Sequence, residues 1–241
     1  MLETTGVGVG VSLAWCQAPP QRNPEPPDAW TLTVDITAAG QDWTVRIAAG
    51  TGIALVIDWG DGLIERFYAI GNKTHIYNQQ GRYYPKISGG FASGGIIRFG
   101  EIVGNRARLK ATSIVPMIPG LATFSYTFQS CTGLTSLPAD LFRYNIACTS
   151  FNNVFQNCNK LQLRSDIFFP AGGETTRFLN QSVDFTNAMS IGTFTGTQGT
   201  APALWDCTYG TGTPTTTTCF TGHSLASVTN YASIPTAWGG A

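Results

Sequence analysis

Asp58 and Asp61 flank Trp59-Gly60, and His75 follows fourteen residues after Asp61. Two carboxylates and an imidazole suggest acid/base work or a calcium site. Acid/base pairs need neighbours that drive their pKa values apart, and calcium takes roughly six to eight oxygens, of which this segment offers two certain ones. A structural role is expected instead. Asp61 shapes a turn, as Asp does by bonding nearby backbone; Asp58 bonds backbone or the Tyr77 hydroxyl; His75 is a strand residue bonding its neighbour hairpin. No G-x-S-x-G nucleophile elbow occurs. Gly6-Val7-Gly8-Val9-Gly10 is glycine-rich but lacks the Lys-Ser/Thr of a phosphate loop. The six cysteines, at 16, 131, 148, 158, 207 and 219, form no C-x-x-C pair, and His75 and His223 are the only histidines, too few for a zinc site of the usual spacing. No cysteine sits in a basic or helix-start setting that would favour a thiolate. A Cys207–Cys219 disulfide is conceivable, while buried reduced thiols are the expected state. No catalytic, cofactor-binding or metal-ligating residue is assigned, and neither an enzyme nor a cofactor is expected.

Composition narrows the partners. Of 241 residues 43% are hydrophobic, enough for a packed core, and only 12% are charged, about half the ordinary share. Fourteen basic residues balance fourteen acidic ones, so there is no basic excess to collect nucleic acid or anionic lipid. No apolar run is long enough to insert in a membrane. The N-terminus has no basic region and places bulky Trp15 before Cys16, unlike a secretory signal. Its alternating Val7, Val9 and Val11 suit a strand with glycines on the other face. Residues 17–29 carry five prolines and read as an extended linker. Residues 1–29 are therefore expected to be an arm that docks onto a neighbouring subunit, with little core of its own.

Residues 30–107 are expected to form one β-sandwich domain, and from Trp30 to Ser88 the chain alternates with period two. Trp30, Leu32, Val34 and Ile36 face one way, then Trp43, Val45 and Ile47, then a strand over 53–59. Asp61-Gly62 marks a hairpin, followed by strands at 64–70, around His75-Ile76-Tyr77, and at 83–87. Short strands at this spacing imply a small antiparallel sandwich. Val56-Ile57-Asp58-Trp59-Gly60-Asp61-Gly62, His75-Ile76-Tyr77 and Gly81-Arg82-Tyr83-Tyr84 resemble the W-x-FGDG, HxY and GxY signature of the PKD family, with Trp59 where phenylalanine is usual. The resemblance implies an immunoglobulin-like β-sandwich used as a spacer or interaction module in extracellular and viral proteins.

From residue 108 to 241 a repeat replaces the alternation. Phe124, Phe128, Cys131, Leu134 and Leu137 recur as Phe151, Phe155, Cys158, Leu161 and Leu163. A weaker copy falls around Phe178 to Met189, and a terminal one at 219–235, where His223 takes the cysteine position three residues after Phe220. A period of 22 to 27 residues with buried Leu, Phe and Cys marks a leucine-rich solenoid with a short strand per repeat. The F-x-x-C-x-x-L-x-x-L-P-x-x-x-F wording resembles the repeat of BspA-like surface proteins, which makes Cys131 and Cys158 core residues. Residues 207–241 hold no charged side chain and end the chain in a Gly/Thr-rich stretch.

The expected fold is thus mainly β: a small PKD-like (immunoglobulin-like) sandwich followed by a short degenerate leucine-rich-repeat solenoid. The two resemblances imply a non-enzymatic protein on the virion surface of a tailed bacteriophage, as tail fibre, receptor-binding or capsid-decoration component. Its expected partners are other virion proteins through the N-terminal arm and host surface glycan or protein, without nucleic acid or membrane insertion, and as a trimer if it is a fibre. The second reading is a bacterial cell-surface adhesin of the BspA-like kind, which needs export; a third is an accessory module of a carbohydrate-active enzyme. Tyr126, Tyr144 and Asn152 are candidates for stacking on and hydrogen bonding to sugar.

Overall fold

A computed structural model describes residues 27–169, 175–192 and 197–240. The expected N-terminal strand and most of the proline-rich linker lie outside them. The chain is mainly β, with two antiparallel sheets and little helix. Strand β1 (Trp30–Ile36) buries Trp30, Leu32, Val34 and Ile36 while Thr31, Thr33 and Asp35 stay half-exposed, the signature of a strand with one face on the core. Strands β2 (Gln41–Thr51) and β3 (Ala54–Asp58) follow, then β4 (Ile64–Phe67), β5 (Gly71–Tyr77), β6 (Gly81–Tyr83), β7 (Lys86–Gly90) and β8 (Ser93–Arg98). One turn of helix, α1 (Val103–Arg108), leads into β9 (Leu109–Thr112). In the first sheet β4, β3, β7 and β1 are successive neighbours, and β1 also pairs with β6 and β9; in the second, β2 lies between β5 and β8.

Two strands differ from expectation. The expected 64–70 strand ends at Phe67, because the chain turns through 68–70 to cross to the second sheet at Gly71. The expected strand at 83–87 is divided between β6 and β7. Val34 faces Tyr83 and Thr31 faces Lys86 on one antiparallel diagonal, so the division is a local gap at Tyr84-Pro85. Proline has no N–H to give there, although its carbonyl still accepts from Leu32 N–H at 2.9 Å. Strands β8 and β9 and the turn of helix were not expected. β9 lies beyond the expected boundary at 107/108 yet pairs with β1, and the Trp30 indole donates to Thr112 Oγ1 at 2.7 Å.

After Thr112 the described residues hold no β-strand, only turns, isolated parallel bridges and three short 3-10 turns at Leu204–Asp206, Tyr231–Ser233 and Thr236–Trp238. The bridges run Gly95 to Leu121, Ala111 to Ser136, Ser150 to Asp184 to Thr215, and Leu163 to Gly199 to Val228. The strand expected in each repeat is therefore reduced to single bridging pairs. The reason is visible in the hydrogen bonds: Phe124, Tyr126, Phe128 and Ser130 N–H donate in turn to Ser150, Asn152, Val154 and Gln156 O, while Thr127 and Gln129 N–H turn back to Phe124 and Tyr126 O. The bonds between segments therefore run one way only and do not form the reciprocal pairing of a strand.

The core is continuous from one part to the other. Trp43 stacks on Phe99 (5.7 Å between ring centroids), Phe99 and Phe128 both meet Trp30 (5.1 and 5.8 Å), and Phe128 stacks on Phe155 (5.5 Å). A second run of parallel rings passes from Phe124 through Phe151 to Phe185, at 5.8 and 5.7 Å.

Candidate binding surface

The carboxylates and histidine of the β3–β4 hairpin come together, but as a lock on the turn. Asp58 Oδ1 accepts from Gly60 N–H (2.9 Å) and Asp61 Oδ1 from Leu63 N–H (3.2 Å). Asp61 Oδ2 lies 2.7 Å from His75 Nε2 on β5. His75 is held between Trp59, stacked at 5.2 Å, and the edge of Tyr77 at 4.6 Å. The Tyr77 hydroxyl donates to Trp59 O (2.9 Å), not to Asp58, and the Trp59 indole donates to Glu65 Oε2 (2.7 Å). Burial pushes the Asp61 carboxyl up, but the hydrogen bonds from His75 and Leu63 outweigh it and leave the group below its ordinary range. These bonds hold the turn to itself and to β5, and no hydroxyl or thiol among the described residues is hydrogen-bonded to His75. Among the described residues there is no group of three or more His, Cys, Asp or Glu able to hold a metal ion.

All five described cysteines are free, including Cys207 and Cys219, so the conceivable disulfide between them is absent. Cys131 and Cys158 are buried behind the aromatic run. Burial pushes the Cys158 thiol up to about 12 and Cys131 well above its ordinary value, and the Cys158 S–H donates to Phe128 O at 2.9 Å.

The surface with the most organised chemistry is built by four equivalent segments: 124–128 (FSYTF), 151–155 (FNNVF), 185–189 (FTNAM) and 216–220 (TTTCF). In each, the third residue takes a left-handed backbone: Tyr126 (φ 64°), Asn153 (54°), Asn187 (52°) and Thr218 (56°). Asn reaches that region at low cost. A turn closes on the first residue of every segment, from Thr127, Val154, Ala188 and Cys219 N–H to Phe124, Phe151, Phe185 and Thr216 O, at 2.9–3.1 Å. The fifth residues stack in register: Phe128 N–H reaches Val154 O, Phe155 N–H reaches Ala188 O, and Met189 N–H reaches Cys219 O.

The fourth and fifth side chains of each segment are buried, as are Phe124, Phe151 and Phe185 at the first position, and the hydroxyls and amides stand at the second and third positions and on flanking residues. Ser125 Oγ lies 2.7 Å from both Thr123 Oγ1 and Ser150 Oγ. Asn152 Nδ2 donates to Asp184 Oδ2 (3.1 Å), Gln129 Nε2 to Gln156 Oε1 (2.7 Å), and Thr218 Oγ1 to Asn187 Oδ1. At one end the Tyr126 ring lies under the Arg98 guanidinium (4.8 Å), which Glu101 holds together with Arg46. Tyr126 and Asn152 are thus neighbours on this face, joined by a Tyr126 N–H to Asn152 O bond of 2.9 Å. Tyr144 is elsewhere, in the turn after Asp140 and Leu141, whose N–H groups donate to Asp166 O and Ile167 O. The third segment falls within the weaker copy expected at 178–189, and the fourth only overlaps the terminal copy expected at 219–235; Met189 and Thr216 replace phenylalanine, and the spacings run from 27 residues (124 to 151) to 34 (151 to 185) and 31 (185 to 216), beyond the expected 22 to 27. The recurrent left-handed residue has one local signal in the sequence, Asn at 153 and 187.

His223 does what its position three residues after Phe220 suggested. Its Nε2 lies 2.7 Å from Met189 O, as Cys158 Sγ lies on Phe128 O, and its Nδ1 lies 2.7 Å from the Gln198 carboxamide. A carbonyl only accepts, so Nε2 carries the hydrogen; Gln198 Oε1 is the atom placed at Nδ1, and a neutral ring needs this carboxamide turned so that its NH2 faces Nδ1 instead. Burial lowers the pKa of the ring below its ordinary 6.5. Below that pH the unfolded chain takes up a proton that the folded chain refuses. Stability is then expected to fall on acidification, by at most about 1.4 kcal/mol per pH unit, with no contribution above neutrality. Urea unfolding at about pH 7.5 and about pH 5.5, above the range where carboxylates protonate, checks this. His223→Cys keeps an S–H for Met189 O and should remove that part of the slope; an unchanged slope would refute the assignment.

No protein family, curated protein or solved structure was found to match the chain.

Proposed function

We propose that the chain is a non-enzymatic display and binding protein on the exterior of a tailed bacteriophage particle, and that it holds host surface glycan or protein on the face made by segments 124–128, 151–155, 185–189 and 216–220. In this reading the two sheets are a PKD-like sandwich, supported by the Trp59–His75–Tyr77 lock of its hairpin, and the segments after Thr112 are a short degenerate leucine-rich solenoid of the BspA-like kind, supported by their parallel bridges. The observation that carries the binding role is the array of Ser125, Gln129, Asn152, Gln156, Asp184 and Asn187 beside Tyr126. Hydroxyls and amides on a rigid backbone, with one aromatic ring and a single carboxylate, suit an uncharged polyol, where directional hydrogen bonds and stacking supply the affinity.

Two measurements test it. Immunogold microscopy with antibody to the recombinant chain is expected to label released particles; gold confined to cell envelopes would replace the phage reading with a surface adhesin. On an array of bacterial surface polysaccharides, the chain is expected to bind, and Tyr126→Ala and Asn152→Ala each to weaken binding by about ten-fold, the worth of one good contact near 1.4 kcal/mol. Binding that survives both substitutions would exclude this face.

A further inference from the structure

The polar face does not end at Tyr126. Asn72 on β5 faces Arg46 on β2, and Arg46 faces Arg98 on β8. Val45, Ile47 and Ile97 beside them are buried, so Arg46 and Arg98 stand on the outer side of the second sheet. The Arg98 guanidinium lies over the Tyr126 ring at 4.8 Å, and Tyr126 N–H reaches Asn152 O. One row of outward side chains thus crosses the sheet and continues onto the repeated segments. Its chemistry changes on the way: past Tyr126 it offers amides, hydroxyls and Asp184, and before Tyr126 two guanidiniums.

Two local preferences are broken at this junction. Like charges directly opposite each other across a sheet repel, yet Arg46 faces Arg98 and the two share Glu101. Glu101 Oε2 lies 2.5 Å from Arg46 Nε, Arg98 Nη1 donates to Glu101 Oε1, and Arg46 Nη1 donates to Asn72 Oδ1 at 3.4 Å. Among the described residues no other carboxylate is paired with either arginine, so the trio keeps one positive charge in excess. Tyr126 sits at φ 64°, where a bulky side chain is an outlier, while the equivalent positions hold Asn153, Asn187 and Thr218. Departures from local preference gather at ligand sites. The arginines are also within reach of a ligand, their side chains being 40% (Arg46) and 22% (Arg98) exposed.

We propose that the glycan held on this face is acidic, with a sugar carboxylate lying between Arg46 and Arg98 and neighbouring neutral sugars along Tyr126 and Asn152. This rests on the binding role proposed above and adds the charge of the ligand. A guanidinium offers paired donors that match the two oxygens of a carboxylate. Glu101 holds the two forks together, and the Tyr126 ring fixes the plane of one of them. The whole chain carries no net charge, so the preference is local to the junction and weakens with added salt.

Bacterial surface polysaccharides that contain uronic acids, each presented as prepared and after reduction of its carboxylates to alcohols, test this against the natural chain and Arg46→Gln. The natural chain is expected to bind the acidic forms at least about ten-fold more tightly than the reduced ones, the worth of one charge-assisted contact. Arg46→Gln, a change at the more exposed arginine, should lose that advantage and bind the reduced forms as before. Equal binding of the two forms by the natural chain, a comparison that needs no variant, would overturn the acidic ligand and leave the polar face as a site for neutral sugars. An Arg46→Gln protein that keeps the advantage would overturn it in the same way. Binding to neither form of any polymer would overturn the polar face together with it.

Discussion

Phe151→Ala is expected to lower the unfolding free energy by about 3–5 kcal/mol, the cost of emptying a fully enclosed aromatic site whose surroundings cannot collapse. Phe151 has no exposed surface, and five other rings meet it: Phe124 and Phe185 stacked on either side, Phe168 and Phe178 edge-on, and Phe142 tilted at 5.0 Å. Its neighbours are held by the backbone bonds of their own segments, so none can move into the space without breaking a turn. Phe151→Leu keeps most of the volume and should cost less than half as much. Urea unfolding followed by tryptophan fluorescence is the readout. Trp30 touches Phe128, and Phe128 stacks on Phe155, so a lesion among the repeated segments should shift the transition that Trp30 and Trp43 report. A loss under about 1 kcal/mol, or a second transition unmoved by the substitution, would show that the two parts do not share one cooperative core.

Asn105→Leu is expected to cost a similar amount, about 3–5 kcal/mol, for a polar reason. Asn105 is fully buried in α1. Its Oδ1 accepts from Thr44 N–H (3.0 Å) and its Nδ2 donates to Thr44 O (2.5 Å) and Phe99 O (2.9 Å). Thr44 pairs with Thr74 of β5 on one side, but the pairing of β2 with β8 stops at Arg46 facing Arg98. The Asn105 carboxamide therefore stands in for a missing strand, offering Thr44 one acceptor and one donor as a peptide group would, with a second donor for Phe99 O. Leucine has nearly the same shape and leaves one N–H and two carbonyls buried without these partners, each at about 1–3 kcal/mol. Asn105→Asp should be as damaging, since it sets a carboxylate against two carbonyl oxygens. Denaturant titration measures the loss, and faster exchange of the Thr44 amide localises it; a variant within about 1 kcal/mol of the parent would dismiss the stand-in role.

Which of these features a reader of the sequence can find depends on how local their cause is. The alternation of Trp30, Leu32, Val34 and Ile36 is a local signal, because a strand with one buried face must repeat every two residues, and it located β1. The Asp61-Gly62 turn and its tie to His75 were legible for the same reason: small, φ-tolerant and side-chain-bonding residues occur where the backbone must reverse. The Phe/Cys repeat was legible because equal segments stack only if equal positions carry equal volumes, and His223 could be placed where Cys158 stands by counting from a phenylalanine. What the chain order could not disclose is what pairs across distance. That β9 joins β1, that Asn105 completes β2, and that the bonds between repeated segments run one way only are outcomes of packing elements far apart in sequence. Asn105 belongs to no motif, since its role exists only once β8 ends short of Thr44. The polar face divides the same way: composition made a neutral hydroxyl and amide surface inevitable, but only stacking in register placed Tyr126, Asn152 and Asp184 on one side of the molecule, because sequence sets which side chains point outward and tertiary spacing sets which of them meet.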